Sequence, residues 1–129
     1  MVSRIEEAMM SKKKILIADD EFYIRELVKD SLSPNYIVLE ASDGEEAIDV
    51  ARKEKPSLIL MDIMLPKLDG IGACYILKSE AATKRIPIII VSVRTDKLDQ
   101  EYCKSMGADG YLTKPFSFEA LLETAKRFS

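Results

Sequence analysis

Short, solidly apolar runs alternate with longer stretches that mix apolar and charged positions at helical spacing. The apolar runs fall at residues 15–18, 36–41, 58–61, 88–92 and 111–113. These runs read as strands, and the solidly apolar run 58–61 as one buried on both faces. The segments between them predict helices over 21–32, around Ala47, Ile48 and Ala51, and over 71–80, 98–105 and 118–127. The punctuation agrees. Ser33-Pro34-Asn35, Pro56 and Gly107 close helices or connections, Ser42 to Glu46 reads as a capped turn, and Ser117 can cap the last helix. Strict strand–helix alternation is the mark of a parallel sheet with right-handed crossovers and helices on both faces. The expected architecture is therefore α/β, a doubly wound five-stranded parallel sheet with five helices. In such sheets the functional crevice lies beyond the carboxyl ends of the strands.

Composition narrows what that crevice can do. The chain has 129 residues, 47% hydrophobic and 32% charged, which suits one soluble domain. Residues 13–129 are read as that domain. Residues 1–12 are read as an N-terminal extension, disordered or in part foreign to the natural chain, with Met9 and Met10 leaving a later start open. Nineteen Lys and Arg against 22 Asp and Glu leave a net charge of −3, so no direct nucleic-acid contact and no binding to anionic membranes is expected. No apolar run approaches the roughly 20 residues of a membrane span. There is no histidine, which removes histidine-based nucleophilic catalysis and histidine-ligated zinc. Cys74 and Cys103 have no zinc or redox-motif spacing and read as two thiols in a reducing cytoplasm.

The strand ends supply the chemistry. The first strand ends in Asp19-Asp20-Glu21, the third in Asp62 and the fourth in Ser92, while the fifth is followed by Lys114-Pro115. Taken singly, each has an ordinary reading: surface charge for the Asp pair, a cap or turn for Asp62, a turn hydroxyl for Ser92, a solvated charge for Lys114. Their joint placement is what matters. Clustered carboxylates repel unless one is protonated or a cation neutralises them. An all-oxygen donor set suits Mg²⁺ or Mn²⁺. A lysine and a hydroxyl opposite would receive further oxygens of a phosphoryl group, and a carboxylate there can itself become an acyl phosphate.

The motifs Asp19-Asp20-Glu21, Asp43-Gly44-Glu45-Glu46-Ala47, Asp62-Ile63-Met64-Leu65-Pro66 with Asp69-Gly70, Ile86-Pro87 through Ser92, and Gly107 through Phe116 together resemble the receiver domain of two-component response regulators. The resemblance runs over about residues 13–128. It implies the flavodoxin-like strand order 2-1-3-4-5. It implies that Asp62 is the phosphoacceptor, that Asp20 and Asp19 hold Mg²⁺ with Asp62 and the Met64 backbone carbonyl, and that Lys114 pairs with Asp62 or its phosphoryl oxygens. It places Ser92 and Tyr111 at the switch positions, though Tyr111 alone would read as a half-buried strand tyrosine. It implies a cis Lys114–Pro115 bond.

The implied partners are a histidine kinase or histidine phosphotransfer protein as donor, and a downstream protein on the face of the fourth helix, fifth strand and fifth helix. The domain would be a signalling module with limited self-phosphorylation and self-dephosphorylation, not an enzyme proper. Two positions depart from the family pattern: Val93 stands where a small residue is usual, and Arg94 follows it. Two rivals remain. One is a Mg²⁺-dependent phosphatase with an aspartyl intermediate, which Met64 in place of a second Asp opposes. The other is a receiver-like interaction module that is never phosphorylated.

Overall fold

The computed structural model describes residues 2–93 and 96–129. In chain order the elements are α1 (Arg4–Ser11), β1 (Lys14–Ala18), α2 (Phe22–Leu32), β2 (Ile37–Ala41), α3 (Gly44–Glu54), β3 (Leu58–Asp62), α4 (Gly70–Ser79), β4 (Ile88–Ser92), α5 (Lys97–Ser105), β5 (Gly110–Thr113) and α6 (Phe118–Phe128). The five strands form one sheet in the order β2-β1-β3-β4-β5. All four pairings are parallel. This is the flavodoxin-like order that the resemblance implies.

The central strands show why the apolar runs are so uniform. Every residue of β3 and β4 is buried, and alternate side chains feed two cores. Leu16, Ile59, Met61, Ile88 and Ile90 pack with Ala47, Ala51, Ala73 and Leu77 from α3 and α4. Ile15, Ile17, Leu58, Leu60, Ile89 and Val91 pack with Val28 and Leu32 of α2 and Leu121 and Ala125 of α6. A strand between two such layers has no polar face to offer.

The helix starts are set by short side chains. Asp43, Asp69, Asp96 and Ser117 each accept a bond from a backbone N–H of the first turn of α3, α4, α5 and α6. Glu46 reaches back to accept the Ser42 N–H at 3.2 Å, one residue before the cap. Gly107, at φ 108°, ends α5 as expected. The Lys114–Pro115 bond is cis.

One helix exceeds the five expected. α1 forms inside the N-terminal extension that was read as disordered or foreign. Its start is capped by Ser3: the Glu6 N–H donates to Ser3 Oγ at 3.1 Å, and Ser3 Oγ donates to Glu6 Oε1 at 3.2 Å. Among the described residues no helix is long and apolar enough to cross a membrane.

Both thiols are free and buried, Cys74 on α4 and Cys103 on α5. Burial pushes the Cys74 thiol up to about 11 and moves Cys103 upward as well. Neither offers thiolate near neutral pH. Modification by a thiol reagent at pH 8 should therefore run on the order of 10²-fold slower than in denaturant, the factor given by about 2.8 kcal/mol of opening free energy. Comparable rates in native and denatured protein would show that the α4–α5 side is open.

Candidate functional site

The carboxyl ends of β1, β3, β4 and β5 converge, and the side chains singled out from the sequence meet there. Asp20, Glu21, Asp62, Met64, Ser92, Val93 and Lys114 line one groove of about 370 Å³. Asp19 lies beneath it, fully buried. Asp62 is 6% exposed and Ser92 is 4% exposed. Asp20 and Glu21 stand at the solvent edge.

Lys114 is the pivot. Its Nζ donates to Asp19 Oδ2 at 2.7 Å and to Asp62 Oδ2 at 3.3 Å. Its backbone N–H donates to the Ser92 carbonyl at 2.7 Å, so the lysine is anchored to β4 while its side chain crosses to β1 and β3. Burial alone would lower the ammonium, but the bond to Asp19 and the charge of Asp62 outweigh it and hold Lys114 above its ordinary value. Asp62 is raised, first by burial and then by the Asp19 charge, with Lys114 opposing both. Asp62 Oδ1 also accepts the Met64 N–H at 3.3 Å, which turns the chain sharply after β3.

Asp19 has its own supports. Its Oδ1 accepts the Glu21 N–H at 2.9 Å, a tight aspartate turn that swings Glu21 back toward the groove. Its carbonyl accepts Arg25 Nη1 at 2.9 Å, and Arg25 Nε donates to Glu40 at 3.2 Å. Arg25 thus fixes the loop after β1 from outside.

Glu21 and Arg25 were given no role from the sequence. For Glu21 a signal existed in the run of three acids: carboxylate oxygens of Asp19, Asp20 and Glu21 all lie within 4.8 Å of one another. For Arg25 there was none, because its contact with Asp19 depends on how α2 leaves the sheet. The Met64 side chain is exposed and borders the groove, as does that of Val93. Arg94 lies outside the described residues.

Tyr111 is not in the groove. It is half-buried on β5, paired with Ile90, while Ser92 pairs with Thr113. Two-residue alternation puts Tyr111 on the same sheet face as Ser92 and Ile90, packed against the core beneath α3, α4 and α5. The donor set fits a divalent cation on chemical grounds: the acidic ligand atoms on offer are carboxylate oxygens beside a backbone carbonyl, and among the described residues the Lys114 ammonium neutralises only part of three nearby aspartates.

With fold and site in place, comparison with known proteins agrees. The family model for the response regulator receiver domain matches residues 15–126. The chain belongs to that family. It is 43% identical over 109 residues to a probable transcriptional regulator, ycf27, of Porphyridium aerugineum, covering 84% of this chain and 44% of the relative. It is 45% identical over 106 residues to the alkaline phosphatase synthesis transcriptional regulatory protein PhoP of Bacillus subtilis, covering 81% and 43%. The chain thus spans less than half the length of these relatives. Among solved structures it resembles the chemotaxis protein CheY4 of Vibrio cholerae, with TM-score 0.87, 32% identity and coverage of 92% of this chain and 100% of that one. It also resembles the receiver domain of a sensor histidine kinase of Pseudomonas aeruginosa PAO1, described with a magnesium ion in its active-site cleft, with TM-score 0.83, 30% identity and coverage of 92% and 98%. The chain is a receiver domain of the two-component response regulators.

The Lys114 geometry carries a prediction. Replacing Lys114 by Met leaves the carboxylates of Asp19 and Asp62 together without their cation. The loss should be about 3 kcal/mol, within the range seen when one member of a buried ion pair is removed. Adding Asp62→Asn should restore a large part of it. Urea melts of the single and double variants measure both, and a Lys114→Met variant as stable as the parent would remove Lys114 from the electrostatic balance.

Proposed function

We propose that Asp62 accepts a phosphoryl group from the phosphohistidine of a histidine kinase or a histidine phosphotransfer protein. The observation that carries this reading is the placement of Asp62: a nearly buried carboxylate at the floor of an open groove, flanked by Lys114 and Ser92 and facing three further acids. A carboxylate oxygen of Asp62 attacks phosphorus in line, the phosphorus–nitrogen bond to the donor imidazole breaks, and the product is an aspartyl phosphate. Lys114 stands within reach of Asp62 and so of the new phosphoryl oxygens, and the Ser92 hydroxyl closes the opposite side.

The reading includes Mg²⁺, with Mn²⁺ as a substitute, held by Asp19, Asp20, Asp62 and the Met64 carbonyl. When bound, it would neutralise charge on the phosphoryl oxygens. The domain then acts as a signalling module in the cytoplasm. It assists its own phosphorylation from small donors and its own dephosphorylation, but turns over no separate substrate.

Its output would be conformational. Phosphorylation draws Ser92 toward the phosphoryl group and lets Tyr111 turn, changing which protein is preferred on the α5–β5–α6 face. In the five-helix count of the family this is the fourth helix, fifth strand and fifth helix. The phosphatase alternative is disfavoured by Met64, whose side chain cannot serve as the second acid. The alternative of an unphosphorylated interaction module is disfavoured because the acceptor, the acidic pair and the lysine are all present and gathered.

Incubation with acetyl phosphate and Mg²⁺ should add one phosphoryl group by intact mass, and Asp62→Asn should add none. An unmodified parent chain, with donor and metal in excess, would refute the phosphoacceptor reading.

Val93 should set the rate. It is 71% exposed, so it is not packed away against the last strands, and it borders the acceptor groove beside Met64. Its β-branch leaves few rotamers for moving aside. In-line approach tolerates little error: a misplacement of about 1 Å can cost about 10²-fold. Val93→Ala should raise the rates of phosphorylation by acetyl phosphate and of acyl-phosphate hydrolysis together, each by at least about fivefold, roughly 1 kcal/mol in barrier. Rates within about twofold of the parent, under about 0.5 kcal/mol, would show that Val93 does not guard the entrance.

A further inference from the structure

Two glycines meet backbone where any side chain would collide. A Cβ on Gly70 would lie 1.9 Å from the carbonyl oxygen of Asp62. A Cβ on Gly44 would lie 1.8 Å from the carbonyl oxygen of Leu68 and 2.6 Å from its carbonyl carbon. Gly70 follows the β3–α4 loop directly. Gly44 does not: it opens α3 after the edge strand β2, and β1 separates that strand from β3.

Gly44 is not there for helix formation or for an unusual backbone angle. Glycine is a poor helix residue. Among the described residues those with positive φ are Lys55, Lys67 and Gly107, and Gly44 is not among them. What remains is close approach. The Gly44 N–H donates to the Pro66 carbonyl at 3.3 Å, and Asp43 Oδ2 pairs with Lys67 Nζ at 3.5 Å. Lys67 itself is held at φ 67°. The turn between β2 and α3 thus grips residues 66–68 from outside.

That grip passes along the loop. The Leu68 N–H donates to the Pro66 carbonyl at 2.7 Å. The Ile63 carbonyl accepts both the Leu65 N–H at 3.0 Å and the Gly70 N–H at 2.9 Å. The Met64 N–H donates to Asp62 at 3.3 Å. The loop is closed on itself by these bonds, with Met64 and Leu68 both inside it.

We propose that Gly44 is a positioning residue for the metal: by letting the start of α3 touch the Leu68 carbonyl, it sets where the Met64 carbonyl stands. The inference rests on the metal-dependent reading given above. Relieving a 1.8 Å contact needs a shift on the order of 1 Å. Mg²⁺ holds its ligands at about 2.0–2.1 Å in near-octahedral geometry and tolerates no such shift.

The test is calorimetric Mg²⁺ affinity for the parent, Gly44→Ala and Gly72→Ala. A Cβ on Gly72 would meet only side-chain atoms, the nearest being Leu68 Cδ1 at 3.0 Å. Gly44→Ala should melt cooperatively yet bind Mg²⁺ at least tenfold more weakly, with labelling by acetyl phosphate recovering in excess Mg²⁺. Gly72→Ala should stay within twofold of the parent. Gly44→Ala within twofold of the parent, or equal losses in both variants, overturns the proposal.

Hydrogen exchange on the parent decides the matter if Gly44→Ala does not fold. Coupling between two sites is reciprocal, so Mg²⁺ should slow exchange of the Gly44 amide with the same midpoint as the Met64 amide. No change at Gly44 overturns the proposal. A parent chain that binds no Mg²⁺ refutes the metal-dependent reading itself, and the brace with it. A parent that binds, with a variant that matches it, refutes the brace alone.

Discussion

The bond between Lys114 and the two buried aspartates is the interaction on which the rest of the site depends. Asp19 is fully buried and Asp62 nearly so. The two carboxylates repel each other, and burial followed by the Asp19 charge raises Asp62. One ammonium at 2.7 and 3.3 Å changes the balance. It is enough to hold the strand ends together but not enough to cancel Asp19, Asp20, Glu21 and Asp62. The acids of the site outnumber the one lysine that lines the groove with them. A divalent cation is the complement that such a cluster of oxygens calls for.

The scaffold explains how such a cluster can exist at the end of a strand. β1, β3 and β4 are sandwiched between helices on both sides, so their backbone positions are fixed by packing that does not involve the site. The repulsive residues come only where the apolar run stops. Arg25 on one flank and the tightly closed loop after β3 on the other then hold the first residues beyond the sheet. The stability of the fold and the chemistry of the groove are separated along the same strands, residue by residue.

Much of this was legible in the sequence, for a definite reason. Strands buried on both faces must be apolar throughout, so residues 58–61 and 88–92 announced themselves, and the polar residue ending each run marked the crevice. Asp62, Ser92 and Lys114 could be placed together because strand order and strand ends suffice for that. What escaped depended on contacts between distant segments or on cues too short to stand out. Arg25 reaches the Asp19 carbonyl only through the exit angle of α2. Gly44 touches Leu68 only because the β2–α3 turn folds over the loop after β3. α1 escaped although Ser3 caps its start, since a helix of eight residues outside the domain has no apolar period long enough to detect.

The register of β4 and β5 bears on how a change at Asp62 could reach a distant face. Ser92 and Thr113 are paired, and Lys114, the next residue, bonds the Ser92 carbonyl. The end of β5 is therefore tied to the backbone of Ser92 and carries the cation of the site, while Tyr111 lies two residues back on the same strand. Inverting a 1:99 population needs about 5.5 kcal/mol of differential interaction. One ordinary hydrogen bond gives about 1 kcal/mol, so a pull on Ser92 alone is too weak. On the phosphoacceptor reading the sum must come from several groups acting on one strand end: Lys114 re-partnering from Asp19 and Asp62 to phosphoryl oxygens, Ser92 closing on the same group, and the shared backbone bond moving with both. That places the mechanical link in β5 itself. On that reading Tyr111, half-buried against the core near the start of β5, is less a trigger than a reporter of how Ser92 and Lys114 move together.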